Sequence, residues 1–82
     1  MSKADEMFEE LGYKVQYVND RITGTILICD SKYENEHKKR IAFYRDKTIT
    51  CSESYINMGK FNTQELQAIN KKVRELGWSQ QN

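Results

Sequence analysis

Two amphipathic segments of this chain end in the same four-residue pattern, Glu-Leu-Gly followed by an aromatic residue. It occurs at positions 10–13 and again at positions 75–78. A glycine directly after a helical run is typical of a left-handed C′ residue, and the apolar residue after it folds back onto the last turn. The pattern therefore predicts one helix near each end of the chain, and the region between them has to supply the rest of the fold.

The first predicted helix begins at Ser2, which stands three residues before Asp5 in a variant of the capping box. An apolar stripe with helical spacing follows, made of Ala4, Met7, Phe8 and Leu11. The acids that alternate with this stripe are predicted to lie on the solvated face, and they are Asp5, Glu6, Glu9 and Glu10. At the end of the helix we expect Tyr13 to pack on Phe8.

The last predicted helix has Asn62 as its N-cap and Glu65 at N3, which together make a capping box, and Thr63 is the alternative cap. Phe61 and Leu66 are placed for a hydrophobic staple. The apolar stripe comprises Leu66, Ile69, Val73 and Leu76. The residues predicted to point outward are Lys71, Lys72, Arg74 and Glu75. We expect Trp78 to fold back onto Val73.

Between the helices the spacing of apolar residues changes to two, which is typical of strands with one wet face. The predicted strands are 13–17, 22–29, 40–45 and 48–56. Turns are predicted at Asn19-Asp20 and Asp46-Lys47, with a polar loop over 30–39. Gly24 predicts a bulge or a close approach within the second strand.

These elements define an α+β domain of order α-β-β-β-β-α, in which both helices pack on one face of a four-stranded antiparallel sheet. With 82 residues the chain forms one domain over 1–78, followed by a short polar tail at 79–82. The predicted core consists of Met7, Phe8, Leu11, Val15, Ile26, Ile28, Ile41, Phe43, Ile49, Leu66, Ile69, Val73 and Leu76.

The bulk properties indicate a cytoplasmic protein. The longest apolar run, 26–29, is far shorter than a membrane span, and the acidic segment 1–11 is unlike a secretory signal. Cys29 and Cys51 lack the spacing of a metal site and stand among apolar residues, so buried reduced thiols are expected. No cofactor or membrane partner is predicted.

The sequence does not indicate an enzyme. Its single histidine, His37, lies in a charged loop, and the adjacent acids on the first helix have no surroundings that would raise a pKa for proton transfer. The four glycines are isolated from one another, so no phosphate-binding loop is formed. We therefore expect neither catalytic nor metal-ligating residues.

The main sign of an interaction is a basic hairpin with an aromatic residue among its cations. Its residues are Lys38, Lys39, Arg40, Tyr44, Arg45 and Lys47. Residues 37–82 as a whole hold nine basic and four acidic side chains, whereas 1–36 hold four basic and eight acidic ones. Such a surface can follow phosphates while the aromatic ring stacks on a base, and it is also a common protection of strand edges against aggregation.

The element order resembles that of double-stranded RNA-binding domains. The chain departs from that family at both contact points: 62–65 reads Asn-Thr-Gln-Glu in place of phosphate-binding lysines, and the first hairpin loop, around 19–21, lacks a Gly-Pro-x-His element. The likeness is one of topology, which does not by itself confer function.

A second likeness concerns the two ends of the chain. The segment 4–13, Ala-Asp-Glu-Met-Phe-Glu-Glu-Leu-Gly-Tyr, and the closing segments 63–69 and 75–78 resemble the ends of small proteins encoded by phages and prophages of Gram-positive bacteria. This resemblance implies a small intracellular protein that acts by binding a host or phage component. We therefore expect non-catalytic binding of a protein partner, or a homodimer through the exposed sheet face, and keep a nucleic-acid-binding hairpin as the alternative.

Overall fold

A computed structural model of the chain describes residues 2–31, 38–53 and 59–78. The helices are α1 (Lys3–Glu10) and α2 (Thr63–Glu75), and the strands are β1 (Tyr13–Tyr17), β2 (Thr25–Ser31), β3 (Lys39–Tyr44) and β4 (Ile49–Glu53). This order confirms the predicted α-β-β-β-β-α fold. The predictions for most of the long loop, the end of the fourth strand and the polar tail lie outside the described residues.

The four strands form one sheet in the order β1-β2-β3-β4, and each neighbouring pair is antiparallel. Phe8 of α1 and Ile69 of α2 lie in one apolar cluster with Leu27, Ile41 and Phe43 of the two central strands. Both helices therefore cover the same face, as predicted, and we call the opposite face of the sheet the open face. Neither of the two described helices is long and apolar enough to cross a membrane.

The helix starts follow the predicted caps. The Ser2 hydroxyl accepts a hydrogen bond from the Asp5 amide at 3.0 Å. At α2 the capping box is reciprocal: the Asn62 carbonyl oxygen accepts from the Glu65 amide at 2.7 Å, and the Glu65 carboxylate accepts from the Asn62 amide at 2.8 Å. These bonds pair amides that a helix cannot pair internally, so the boundaries are set by residues within the first turn.

The helix ends also match the prediction. Gly77 has a φ of 74°, its amide donates to the Arg74 carbonyl at 3.0 Å, and the Trp78 amide donates to the Val73 carbonyl at 3.0 Å. These two bonds are those of a Schellman motif. Gly12 likewise has a positive φ, of 94°.

The aromatic residue after each glycine packs on or within the core. The Tyr13 ring meets the Phe8 ring edge to face with 6.0 Å between the centroids, which confirms the predicted contact. The Trp78 ring lies 6.2 Å from that of Phe43 and is half-buried against the core. Each terminator thus ties its helix to the sheet.

Alanine in place of Gly77 should lower the free energy of unfolding by about 1 kcal/mol, because a Cβ is strained at positive φ. Space is not the cause, since an added Cβ would meet no atom within 4 Å. Urea denaturation of the full chain measures the loss. Lys71→Ala, in the same helix, is the control and should be nearly neutral, and equal midpoints for both variants would contradict the C-cap assignment.

The second strand differs from its prediction in its bounds and in the side that faces the core. It spans Thr25–Ser31 rather than 22–29, so Asp30 and Ser31 lie in the strand and not in the predicted polar loop. The bulge expected near Gly24 is found as a register shift between Thr25 and Leu27. The core-facing residues are Leu27 and Cys29, both fully buried, whereas the predicted core residues Ile26 and Ile28 are half-buried. All four residues of this run are apolar, so the sequence alone did not indicate which alternate pair faces the helices.

The buried face of α2 also differs from the prediction. Its buried residues are Glu65, Ala68, Ile69 and Lys72. Leu66 was predicted in the core and is 47% exposed, whereas Lys72 was predicted outward and is 2% exposed. Phe61, predicted as the staple partner of Leu66, is 44% exposed. In α1, Asp5 was predicted on the solvated face and is buried. Asp5 and Lys72 are buried because each meets its opposite charge on an element distant in sequence.

Candidate functional site

The predicted basic hairpin does not form one continuous cationic surface. Lys39 lies on the helix-covered face, where its ammonium is 2.8 Å from the Glu65 carboxylate and 3.6 Å from that of Glu53. It also donates to the Lys60 carbonyl. Lys39 therefore links β3 to the start of α2, and its charge is already neutralised.

Arg40 lies on the open face and is paired as well. Its Nε is 2.7 Å from one oxygen of Asp30 and its Nη2 is 3.0 Å from the other, a two-pronged bond between residues directly opposite in register. The Asp30 carboxylate raises the pKa of Arg40. Lys38, just before β3, is exposed. Of the six predicted residues, three remain to be placed, and they lie at the other end of the hairpin.

The turn after β1 and the turn after β3 meet at one end of the sheet. The Arg45 amide donates to the Gly24 carbonyl at 2.7 Å and so joins the two turns directly. Between them is a shallow concavity of about 350 Å³, lined by Arg21, Ile22, Thr23, Gly24, Tyr44, Arg45 and Asp46. We call these residues, with the adjacent Lys47, the turn end.

Asp20 holds the first of these turns in shape. Its carboxylate accepts from the Ile22 amide at 2.9 Å and the Thr23 amide at 3.3 Å, and its carbonyl accepts from the Gly24 amide at 2.8 Å. The amides of Thr23 and Ile22 lower the pKa of Asp20. The turn directs the Ile22 side chain to solvent, where it is 96% exposed.

The second turn is a three-residue hairpin loop. The Tyr44 amide donates to the Thr48 carbonyl at 2.9 Å and closes the loop. Its last residue, Lys47, has a φ of 69°. Asp46 accepts from the Thr48 amide at 3.1 Å and so caps the loop. The Tyr44 hydroxyl is bonded to that of Thr50 at 3.1 Å, which fixes the tyrosine across β3 and β4.

The cations of the turn end have no acidic partner among the described residues. Arg45 is hydrogen-bonded to the neutral Asn19 side chain at 2.6 Å, and Arg21 and Lys47 are exposed without an ion pair there. The nearby acids, Asp20 and Asp46, are occupied with turn amides. An exposed isoleucine therefore lines the same concavity as Arg21 and Arg45, with Lys47 on the adjacent turn, and none of the three cations is ion-paired within the described residues.

A second set of charges is buried between the helices and β1. The Lys72 ammonium is 2.8 Å from Asp5 and 3.2 Å from Glu75, and it donates to the Tyr17 hydroxyl at 2.7 Å. Within the described residues, Oδ1 of Asp5 has no partner except this ammonium. Burial raises the pKa of Asp5, but bonds from Lys72 and Tyr17 outweigh it and bring the pKa below its usual value. The Asp5 and Lys72 charges at the centre of the cluster are buried, so the cluster has a structural role.

Glu65 is the centre of a similar cluster at the other end of the helix-covered face. It accepts hydrogen bonds from the Tyr13 hydroxyl, the Lys39 ammonium and the Asn62 amide. Burial raises the pKa of Glu65, but the bonds from Lys39 and Tyr13 lower it overall. Burial and the neighbouring carboxylate raise the pKa of Tyr13. The cluster connects β1, β3 and α2.

Acid should unfold the protein through these two clusters. Because the folded pKa values of Asp5 and Glu65 lie below their usual values, the stability they contribute is present above the unfolded pKa and is lost as the pH falls. We expect the urea midpoint to decrease between about pH 5 and about pH 3. Asp5→Asn should have a shallower decrease than the unmodified chain, and parallel curves would contradict the assignment.

The thiols offer no reactive site. Cys29 is fully buried and Cys51 is 7% exposed, which confirms the sequence prediction that both are buried, and both are free thiols. Burial raises the pKa of Cys29 to about 12, so little of it is thiolate near neutral pH. In the part of the chain that the structure describes, no three histidine, cysteine or carboxylate side chains gather as metal ligands. His37 lies outside the described residues.

Comparison of the chain with protein-family models, with curated proteins and with solved structures found no match. Sequence reasoning found Tyr44, Arg45 and Lys47 of the turn end but missed Arg21 and Ile22. The missed signal was the Asp20 carboxylate four residues before Gly24, a spacing that closes a turn and leaves the residues between them outside the strand.

Proposed function

We propose that this protein is a non-catalytic binding module that docks a protein partner at the turn end. The observation that carries the proposal is the position of Ile22, 96% exposed on a turn that Asp20 holds in shape. Burying an isoleucine side chain contributes about 1.5–3 kcal/mol, which the free protein does not gain here. A partner with an apolar pocket would gain it without having to order the turn first.

The cations around Ile22 define the chemistry of that partner. Arg21, Arg45 and Lys47 have no carboxylate partner among the described residues, so an acidic segment can approach without displacing an existing ion pair. Arginine and tyrosine are frequent in the energetically important centres of protein interfaces, and charges at the rim increase association rates. We infer that the partner offers an apolar residue flanked by acidic ones.

A library of random peptides displayed on ribosomes tests this proposal directly. Peptides selected on the full chain should combine acidic residues with an apolar one. The affinity of these peptides for the Ile22→Ser variant should be about thirtyfold lower than for the unmodified chain. This change corresponds to a loss of roughly 2 kcal/mol of binding free energy, as expected for a central contact. Leu66→Ser is the matched control, because Leu66 is also an exposed aliphatic residue but lies on α2. Selected peptides that bind both variants equally would contradict the site.

The alternative function is nucleic-acid binding through Tyr44, Arg45 and Lys47. It is less favoured because Lys39 and Arg40, which the sequence assigned to the same surface, are paired with carboxylates. We expect no mobility shift with single- or double-stranded DNA or RNA at moderate salt. A salt-sensitive complex that is lost when Arg45 and Lys47 are both changed to alanine would replace protein binding with this alternative.

The biological setting stays a prediction. A small phage or prophage protein that works in the cytoplasm by binding another protein is the role that the resemblance of the chain ends implies. The proposed site fits such a role, since it needs neither a cofactor nor a catalytic group. Reciprocal capture of a host or phage protein, dependent on Ile22, would support this setting.

A further inference from the structure

The two edges of the sheet differ in how they are covered. On β4, the Gly59 amide donates to the Cys51 carbonyl at 2.9 Å, so the returning chain occupies part of that edge. On β1, no main-chain or side-chain group of residues 2–31, 38–53 and 59–78 bonds to the outward side of the strand. The β1 edge therefore presents main-chain donors and acceptors to its surroundings, a template on which another strand can pair.

The pairing of β1 with β2 shows which residues carry these groups. The Val18 amide donates to the Ile26 carbonyl at 3.0 Å, and this bond continues the register of the two strands. Hydrogen-bonded and non-hydrogen-bonded pairs alternate along an antiparallel ladder, so Lys14 and Gln16 also direct their main-chain groups toward β2. The residues whose main-chain groups point away from β2 are therefore Tyr13, Val15 and Tyr17.

We propose that the β1 edge pairs with the β1 edge of a second copy of this chain, antiparallel about a two-fold axis at Val15. The strand reads Tyr-Lys-Val-Gln-Tyr, which is nearly the same in both directions. A two-fold pairing thus sets Val15 against the partner's Val15 and Tyr13 against the partner's Tyr17, as a symmetric interface requires. The three outward-facing pairs would form about six hydrogen bonds, two for each pair.

The charges and the exposed surface of the strand favour this register. In it, Lys14 lies opposite the partner's neutral Gln16. A shift of the register by two residues in one direction places Lys14 opposite the partner's Lys14. A shift by two in the other direction places Gln16 opposite the partner's Gln16. Either shift leaves outward-facing groups unpaired. The chosen register also covers Tyr17, 58% exposed in the single chain, and the half-buried Val15. The site is separate from the turn end and does not depend on the function proposed for it.

Cysteine cross-linking tests the register. Lys14 and the partner's Gln16 would form a non-hydrogen-bonded pair with Cα atoms about 4.5 Å apart, which a disulfide can span. An equal mixture of Lys14→Cys and Gln16→Cys chains should give disulfide-linked dimers on mild oxidation, whereas each variant alone should stay unlinked. The native thiols are buried and do not interfere. A dimer from either variant alone, or none from the mixture, would overturn the proposal.

Sedimentation equilibrium of the full chain tests the dimer itself. The expected mass is twice that of one chain, and Val15→Pro should halve it, because proline removes an outward amide of the pairing edge. The Val15 amide points away from β2, so proline there breaks no bond of the ladder within one chain and the circular dichroism spectrum should be retained. A monomeric unmodified chain, or a folded Val15→Pro dimer, would refute the proposal. If Val15→Pro fails to fold, the cross-linking result decides.

Discussion

Replacing Lys72 with methionine should lower the free energy of unfolding by about 3–5 kcal/mol, the range expected when one partner of a buried ion pair is removed. The Asp5 carboxylate would remain buried without the ammonium that now lies 2.8 Å away. The Tyr17 hydroxyl would lose the charged donor at 2.7 Å. For a domain of this size the whole stability is about 4–12 kcal/mol, so the variant should be partly or fully unfolded at ambient temperature.

Two further variants isolate the cause of this loss. Lys71→Met, at the neighbouring position of α2, removes the same charge from a more exposed site and should change the urea midpoint little. Adding Asp5→Leu to Lys72→Met removes the unpaired carboxylate and should restore part of the stability, because an apolar pair can replace a buried ion pair at little cost. Equal losses of stability in Lys71→Met and Lys72→Met would contradict the assignment of Lys72 as a buried residue.

Phe8→Ala should have an effect of similar size, about 3–5 kcal/mol, because truncating a buried phenylalanine removes apolar burial and leaves a cavity. Phe8 is fully buried, and its ring meets those of Tyr13 and Phe43 edge to face, with centroids 6.0 and 6.2 Å away. It joins α1, β1 and β3 in one cluster. The helix that carries it is short, so packing on the sheet has to stabilise it.

Denaturation in urea, followed by circular dichroism, measures the loss in Phe8→Ala. Phe61→Ala is the matched control, because Phe61 is 44% exposed and the Lys39 ammonium lies 5.8 Å from the centre of its ring. The control should lose about 1 kcal/mol or less. A comparable loss in both variants would show that the helix-covered face is not the dominant core.

The positions of the helices and strands could be predicted from the sequence because local chemistry sets them. The capping box of Asn62 and Glu65 forms within one turn, and Gly77 meets its φ requirement without any distant residue. The change of apolar spacing from helical to alternating separates helices from strands in the same local way. The α+β class, the element order and the facing of most core residues followed from these signals.

The candidate site was only partly predictable. Arg45 and Lys47 stood out as basic residues near a turn, but their sequence neighbours Lys39 and Arg40 were expected beside them on one surface. The alternation of β3 places Lys39 on the helix-covered face and Arg40 on the open face. On each face a carboxylate from another element neutralises the cation: Glu65 pairs with Lys39, and Asp30 pairs with Arg40. Which cations remain free depends on those carboxylates, and the spacing along the chain does not specify them.

The sequence by itself determined where each helix begins and ends and that four strands lie between them, because a cap or a period involves residues a few positions apart. Only the tertiary structure decided that Lys72 is buried, that Leu66 is exposed, and that Arg21 and Ile22 meet Arg45 at one end of the sheet. Lys72 and its partner Ser2 are 70 positions apart. A charge on a helix is buried or solvated according to whether an opposite charge meets it there, and that meeting exists only in the folded chain.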